Sequence, residues 1–292
     1  MNANEMTFGV EIETIAPESA IRDHGLSIGS YYGMPKQVPY LPPGWSAKGD
    51  GSIQTNGHGM ACEIVSPILT GEDGLRQVIE VCKSLQDKGH KVNASCGVHV
   101  HVGWSRLLPQ KALACLVTIV AYVEKGIYAI TGTKDREVGR YCRGVRQYGK
   151  EKDGQKTIAD DRYHVLNLSN LASGQKETVE FRAFSASLNP IKICGWVQIC
   201  LGLVQKALEC KRKPSWNPKP LKGGWAKKGE GASECERLLA YLVWGSYGKH
   251  PSHAHAFGWM SDIIPQETVK AEFRRLAKKY DAPQQPSPIS TL

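Results

Sequence analysis

Phe8-Gly9-Val10-Glu11-Ile12-Glu13-Thr14 puts two carboxylates one residue apart in an apolar setting. In a β-strand, residues two apart share a face. Glu11 and Glu13 therefore project one way while Val10 and Ile12 project the other. Like charges side by side on one face repel, so such a pair implies a cation in front of it. An isolated Glu-x-Glu is usually just a solvated strand face, so its meaning depends on the strands that follow.

Three later stretches repeat the two-faced design. Cys62–Pro67 (CEIVSP) reads as a strand stopped by its proline, with Glu63 and Val65 on one side and Ile64 on the other. Lys91–Trp104 (KVNASCGVHVHVGW) alternates His99 and His101 against Val98, Val100 and Val102. Glu177–Phe184 (ETVEFRAF) places Glu180 and Arg182 opposite Val179, Phe181 and Ala183. Tyr163–Leu168 (YHVLNL) reads as a further strand. Packed on helices, such a sheet buries its Val/Ile/Phe face and gathers four carboxylates, two imidazoles and a guanidinium on the other. Solvent-facing strand positions ordinarily favour Thr, Lys or Gln over clustered Glu. Hard divalent ions such as Mg²⁺ or Mn²⁺ take oxygen ligands, with an occasional imidazole on Mn²⁺. Two ions could bridge the phosphates of a nucleotide, with Arg182 stabilising charge on a transferred phosphoryl group.

Helical periodicity marks the remaining elements. Leu75, Val78, Ile79, Cys82 and Leu85 fall on one helical face ending at Gly89, and Thr70 with Asp73 resembles a capping box. Pro109 opens an apolar helix to about Ile130, and Asn189-Pro190 opens another to about Cys210. Residues 27–60 are rich in Gly, Pro and aromatics, which suits a lid or a substrate-binding loop. Arg136–Lys156 reads as a basic loop with short strands. The basic, Pro/Gly-rich run around 211–224 is the best boundary, giving a catalytic domain over 1–215, a helical extension over 216–280 and a disordered tail over 281–292. Within the extension, 234–244 and 267–280 read as helices. The Trp216, Trp225, Trp244, Trp259 and His250, His253, His255 set reads as packing and loop residues more readily than as an amine-binding surface.

The chain of 292 residues carries a net charge of +9, which suits a polyanionic partner as well as a plain solvated surface. Its nine scattered cysteines form no Cys-x-x-Cys pair and read as reduced core residues. The first residues show no basic-then-apolar leader, and no uncharged apolar run of spanning length is evident. The expectation is a cytoplasmic protein with no membrane contact.

The motifs FGVEIE (8–13), CEIVSP (62–67), SCGVHVHV (95–102) and VEFR (179–182) resemble, in order and spacing, the amidoligase family. That family belongs to the glutamine synthetase-like carboxylate–amine ligase superfamily, with glutamate–cysteine ligase. Trp45 and Asp50-Gly51-Ser52 add a weaker match, and the likeness spans residues 6 to about 190. The resemblance implies an α+β fold: a curved, mostly antiparallel, glutamine synthetase-like sheet with helices packed on its convex face and a helical C-terminal extension. It implies ATP and two Mg²⁺ or Mn²⁺ ions held by Glu11, Glu13, Glu63, His99 and Glu180, with His101 near the ATP phosphates and Arg182 on the transferred phosphate. CEIVSP offers a single Glu, which argues against a third ion. Arg140, Arg143 and Arg146 are added as phosphate or carboxylate contacts on charge alone. Catalysis would rest on Arg182, Glu180 and His101. A carboxylate would attack ATP to give an acyl phosphate, and an amine would then displace phosphate to form the amide. Tyr163, Asp50 or a carboxylate near the metals could take the ammonium proton. The substrates would be an amino acid, a peptide or a protein, with a modified nucleobase as a further option. Glu11 is expected to group with His99 and Glu180, and Glu13 with Glu63.

Two rivals stand beside this reading. His99, His101 and a Glu could hold zinc in a metallohydrolase with an open fourth position. A basic, non-catalytic nucleic-acid-binding protein would also use the charge, although no zinc finger, RNP signature or convincing helix-turn-helix supports it.

Overall fold

The structure is a computed structural model that describes residues 5–152, 154–210, 230–242 and 263–283. The tryptophans and histidines of 216–259, the proposed boundary run and most of the tail lie outside them.

Eight strands form one open sheet: β1 (Thr7–Ala16), β2 (Lys36–Gln37), β3 (Ser46–Lys48), β4 (Met60–Val65), β5 (Leu69–Thr70), β6 (Gly97–Gly103), β7 (Leu166–Asn167) and β8 (Thr178–Ser185). Their order is β2-β3-β4-β1-β6-β8-β7, with β5 also on β1, and every ladder between them is antiparallel. Nine α-helices occur among the described residues: α1 (Glu18–Arg22), α2 (Gly71–Asp87), α3 (Gln110–Ala129), α4 (Asp135–Val138), α5 (Gly154–Thr157), α6 (Ser169–Ser173), α7 (Pro190–Glu209), α8 (Gly231–Tyr241) and α9 (Gln266–Asp281). The architecture is mixed α and β, with an open, mostly antiparallel sheet.

Alternation decides which face of the sheet is covered. Val10, Ile12, Ile64, Val98, Val100, Val102, Val179 and Phe181 are all but fully buried. They share one core with the apolar faces of α2, α3 and α7. Two close approaches fix the layers. Gly74 of α2 lies against Phe8 of β1, leaving no room for a Cβ, and Trp196 of α7 stacks on Phe184 of β8 at 4.9 Å between centroids. Burying such side chains contributes about 1.5–3 kcal/mol each, which makes this face the main source of stability.

Several expectations need correction. α3 and α7 are each 20 residues long and apolar enough to cross a membrane. Most of each is buried inside the protein, so their apolarity reflects the core. Thr70 does not form a capping box: its hydroxyl donates to the Met6 carbonyl instead. Asn189 does cap α7, its side chain accepting the Ile191 N–H at 2.9 Å. The 135–157 stretch holds short helical turns rather than strands, and strand β7 shrinks to two residues. β8 carries an irregularity opposite β6: Val100 pairs with Phe181, yet Val98 pairs with Phe184. Two residues, Arg182 and Ala183, thus stand opposite His99, and this bulge turns Phe184 into the core beside Phe181.

Beyond the sheet, α8 packs on α3, where Gly126 meets the Glu234 carbonyl and Leu238 too closely for any larger residue. α9 reaches α7 through Val269 and Phe273, which sit on Gly195. Asp281, expected at the start of the disordered tail, instead ends α9. Its carboxylate accepts the first backbone N–H groups of α8, from Gly231 and Ala232, at 2.5 and 2.7 Å.

Candidate active site

Register brings the ionisable strand residues into rows across the uncovered face. Lys48 on β3, Glu63 on β4 and Glu13 on β1 stand directly opposite one another. Glu11 stands opposite His99. His101, Glu180 and Asn167 form the third row across β6, β8 and β7. Side chains in such rows are within contact range because paired strand positions hold their Cβ atoms about 4.5–5.5 Å apart. A cleft of about 1140 Å³ opens over them. Despite lining it, Glu11, Glu13, Glu63, His99, His101, Glu180 and Arg182 are each only 3–8% exposed.

Glu11 is the hub. One of its oxygens lies 3.3 Å from His99 Nδ1, and the other lies 3.2 Å from His101 Nε2 and 3.6 Å from Lys176 Nζ. His99 also approaches Glu13 and Glu180, each at 3.6 Å. Glu180 pairs with Arg182 on one oxygen and accepts from Asn167 Nδ2 at 2.6 Å on the other. Glu63 meets Lys48 Nζ at 2.7 Å, and Glu13 accepts the Gly97 N–H at 2.6 Å. The Arg136 guanidinium lies over Gly97, 2.9 Å from where a Cβ would stand. That guanidinium donates to the Arg182 carbonyl at 2.7 Å, tying the 135–138 turn to β8.

Among the described residues three sets of donors could hold a cation, each with its ligand atoms within 4.8 Å of one another: Glu11–Glu63–His99, Glu11–His101–Glu180 and Glu13–Asp50–Glu63. Buried carboxylates at this density conflict electrostatically. Burial and the neighbouring Glu11 carboxylate raise the Glu63 pKa, although Lys48 pulls it down. Burial would also raise Glu11, but His101 and His99 outweigh it and hold that carboxyl well below its usual range. Burial opposes ionisation of Glu180 as well, yet His101 and Arg182 lower it. His101 is pushed down by burial and up more strongly by Glu11 and Glu180, ending raised. Although its Nε2 is in ion-pair range of Glu11, it makes no aligned hydrogen bond among the described residues, and neither does Arg182 Nε. A divalent cation would relieve these conflicts at once.

Residues 4–204 match the model of a family described as "Putative amidoligase enzyme". The chain belongs to this amidoligase family. No curated protein sequence matches it.

Every strand residue expected at the amidoligase site is brought together, but the grouping differs in detail. Glu13 does share a set with Glu63, joined by Asp50. Glu11 belongs to two sets, and His101, expected near phosphates, stands among the potential metal donors with Glu11 and Glu180. The arginines chosen by charge fall elsewhere. Arg143 pairs with Asp161 and Arg140 lies over the Tyr141 ring, and neither lines the cleft. Arg146 is absent from the lining too, and its charge and backbone N–H lower the Glu124 pKa against the effect of burial. In their place the rim carries Lys48, Arg136, Arg162 and Lys176, with Tyr31, Tyr32, Tyr141 and Tyr163. Asn167, Lys48 and Arg136 had no signal of their own in the sequence, because each acts through a partner distant in the chain. The 27–60 segment reaches the cleft through Tyr31, Tyr32, Lys48 and Asp50-Gly51-Ser52. Its anchor is Trp45, fully buried, with the indole N–H on Gln77 at 3.2 Å. Asp50 is fixed by Ser52, whose N–H and hydroxyl each donate to it at 2.7 Å.

Proposed function

We propose that the protein is an ATP-dependent carboxylate–amine ligase with a glutamine synthetase-like site, forming an amide through an acyl phosphate. The observation that carries this reading is the juxtaposition of Glu11, His101 and Glu180 with Glu13, Asp50 and Glu63 in one cleft, beside a buried Arg182. The donor set fits Mg²⁺ or Mn²⁺: it is mostly carboxylate oxygen, with imidazole in two of the three groups, and one of those imidazole nitrogens lacks an aligned hydrogen bond. Such an ion would neutralise phosphate charge and orient the nucleotide.

The protein's own residues supply the rest. Glu180 and Asn167 hold each other rigidly, and Arg182 is aimed beside Glu180 where a transferred phosphoryl group would lie. Lys176 and Arg162 at the rim attract the triphosphate. A substrate carboxylate attacks the γ-phosphorus of ATP, the bond to ADP breaks, and an acyl phosphate forms. The amine then attacks the acyl carbon, loses a proton and expels phosphate. Asp50 and Tyr163 both line the cleft, and either would serve as the base for that proton. Such chemistry is accelerated chiefly by holding the reactants in line and neutralising phosphate charge.

The carboxylate majority argues against a zinc hydrolase, which favours nitrogen and sulfur donors. It also argues against plain nucleic-acid binding, since clustered carboxylates repel a phosphate backbone unless a cation intervenes. The test is ADP release with Mg²⁺ or Mn²⁺ across amino acids, amines and acidic peptides. Release that requires both substrates and is lost in Glu180→Gln supports the ligase. Release that survives Glu180→Gln would remove the metal assignment, and tightly bound zinc with ATP-independent hydrolysis would remove the ligase.

A further inference from the structure

We propose that Lys48 serves as a built-in cation in the Glu13–Asp50–Glu63 group, so that the free protein binds one divalent ion, not two, across this group and Glu11–His101–Glu180 together. This rests on the metal-dependent reading of the cleft. Lys48 is not a wandering surface lysine. It ends β3, pairs across the ladder with Glu63, and bridges to Gly29 on its other side. The same short strand follows the buried Trp45, so its backbone is anchored in the core. That frame delivers Nζ to 2.7 Å from a Glu63 oxygen, with the lysine side chain 30% exposed. An ammonium is a compact point charge able to do part of the work of a metal ion.

The protein already meets part of the charge of these carboxylates with its own cations: Lys48, Lys176 and Arg182 each stand within 4 Å of Glu63, Glu11 and Glu180 respectively. The Nε2 of His101, without an aligned hydrogen bond, marks the Glu11–His101–Glu180 group as the place for the divalent ion. A second ion would then enter with the nucleotide, whose phosphates bring their own charge. A second ion entering without nucleotide would meet the Lys48 ammonium at close range, where like charges repel strongly.

The test is calorimetric titration of the full chain with MnCl₂ alone, checked by the paramagnetic resonance of free Mn²⁺. The expected result is one tight ion per wild-type chain, two in Lys48→Met, and one again in Lys48→Arg, which keeps the charge. The second ion in Lys48→Met should bind at least about tenfold tighter than any second ion in wild type, as removal of one adjacent like charge predicts. Two ions of comparable affinity in wild type would overturn the role of Lys48 while leaving the metal site standing. A single ion in a Lys48→Met protein with wild-type thermal unfolding would do the same. No bound ion in any variant would overturn the metal reading itself. If Lys48→Met does not fold, the wild-type and Lys48→Arg counts still decide: one ion in both supports the proposal, and two in either refutes it.

Discussion

Two buried histidines stand against opposite sides of the sheet and are shifted in opposite directions. His90 packs on the helix side, between the Thr14 hydroxyl at 3.0 Å and the Tyr40 hydroxyl at 2.8 Å. Burial among neutral partners pushes its pKa down to about 4. His101 is as deeply buried on the cleft side, yet Glu11 and Glu180 raise it. The difference generalises to the two faces. On the covered face Thr14 and His90 meet neutral partners, and the free energy of burial goes into stability. On the cleft face like charges are held together with little solvent to screen them, which leaves a strong attraction for a cation. Adjacent residues of one strand are assigned to these opposite tasks.

Substitutions in neighbouring positions should separate the tasks. Glu11→Gln removes the hub of two donor sets and should lower the rate of ADP formation by about 10²–10³-fold, the scale of losing one preorganised electrostatic contact. A drop of less than tenfold would break the assignment of Glu11 to the chemistry. One residue on, Ile12→Ala should cost about 2–5 kcal/mol in urea unfolding, with a near-normal rate for the protein that remains folded. If Ile12→Ala instead slowed chemistry without loss of stability, the division between faces would fail.

His90 sharpens the same contrast through pH. Its pKa is lower in the folded state than the ordinary value of 6.5. The unfolded chain therefore takes up the proton first as pH falls. The contribution is fully present above pH 6.5, declines on acidification and is lost below about 4, amounting to about 3 kcal/mol at most. His90→Gln should flatten the stability–pH curve across that window by this amount, measured by urea denaturation at each pH. An unchanged slope would mean that His90 is not held neutral. The smallest effect is expected at Arg143, which pairs with Asp161 at the surface: Arg143→Ala should change stability by less than about 1 kcal/mol and leave the KM for ATP unaltered. A large rise in that KM would return Arg143 to the cleft.

Much of this was legible in the chain because strand alternation is a local property. Glu11, Glu13, Glu63, His99, His101, Glu180 and Arg182 could be assigned to one face from a period of two, and their motifs sufficed to indicate the family. The apolar helices were equally legible. Charge without periodicity carried less: Arg140, Arg143 and Arg146 lie in a basic loop that has no fixed face, and none of the three lines the cleft.

Sequence by itself determined which strand residues share a face, where the long helices lie and which family the chain belongs to, since each follows from patterns over a few residues. Only the tertiary structure decided which carboxylates become neighbours. Pairing across β3, β4 and β1 puts Lys48 on Glu63. The bulge in β8 sets Arg182 and Ala183 opposite His99, and the short β7 brings Asn167 to Glu180. Register depends on non-local hydrogen bonding and on the packing of the opposite face, and no run of adjacent residues encodes it.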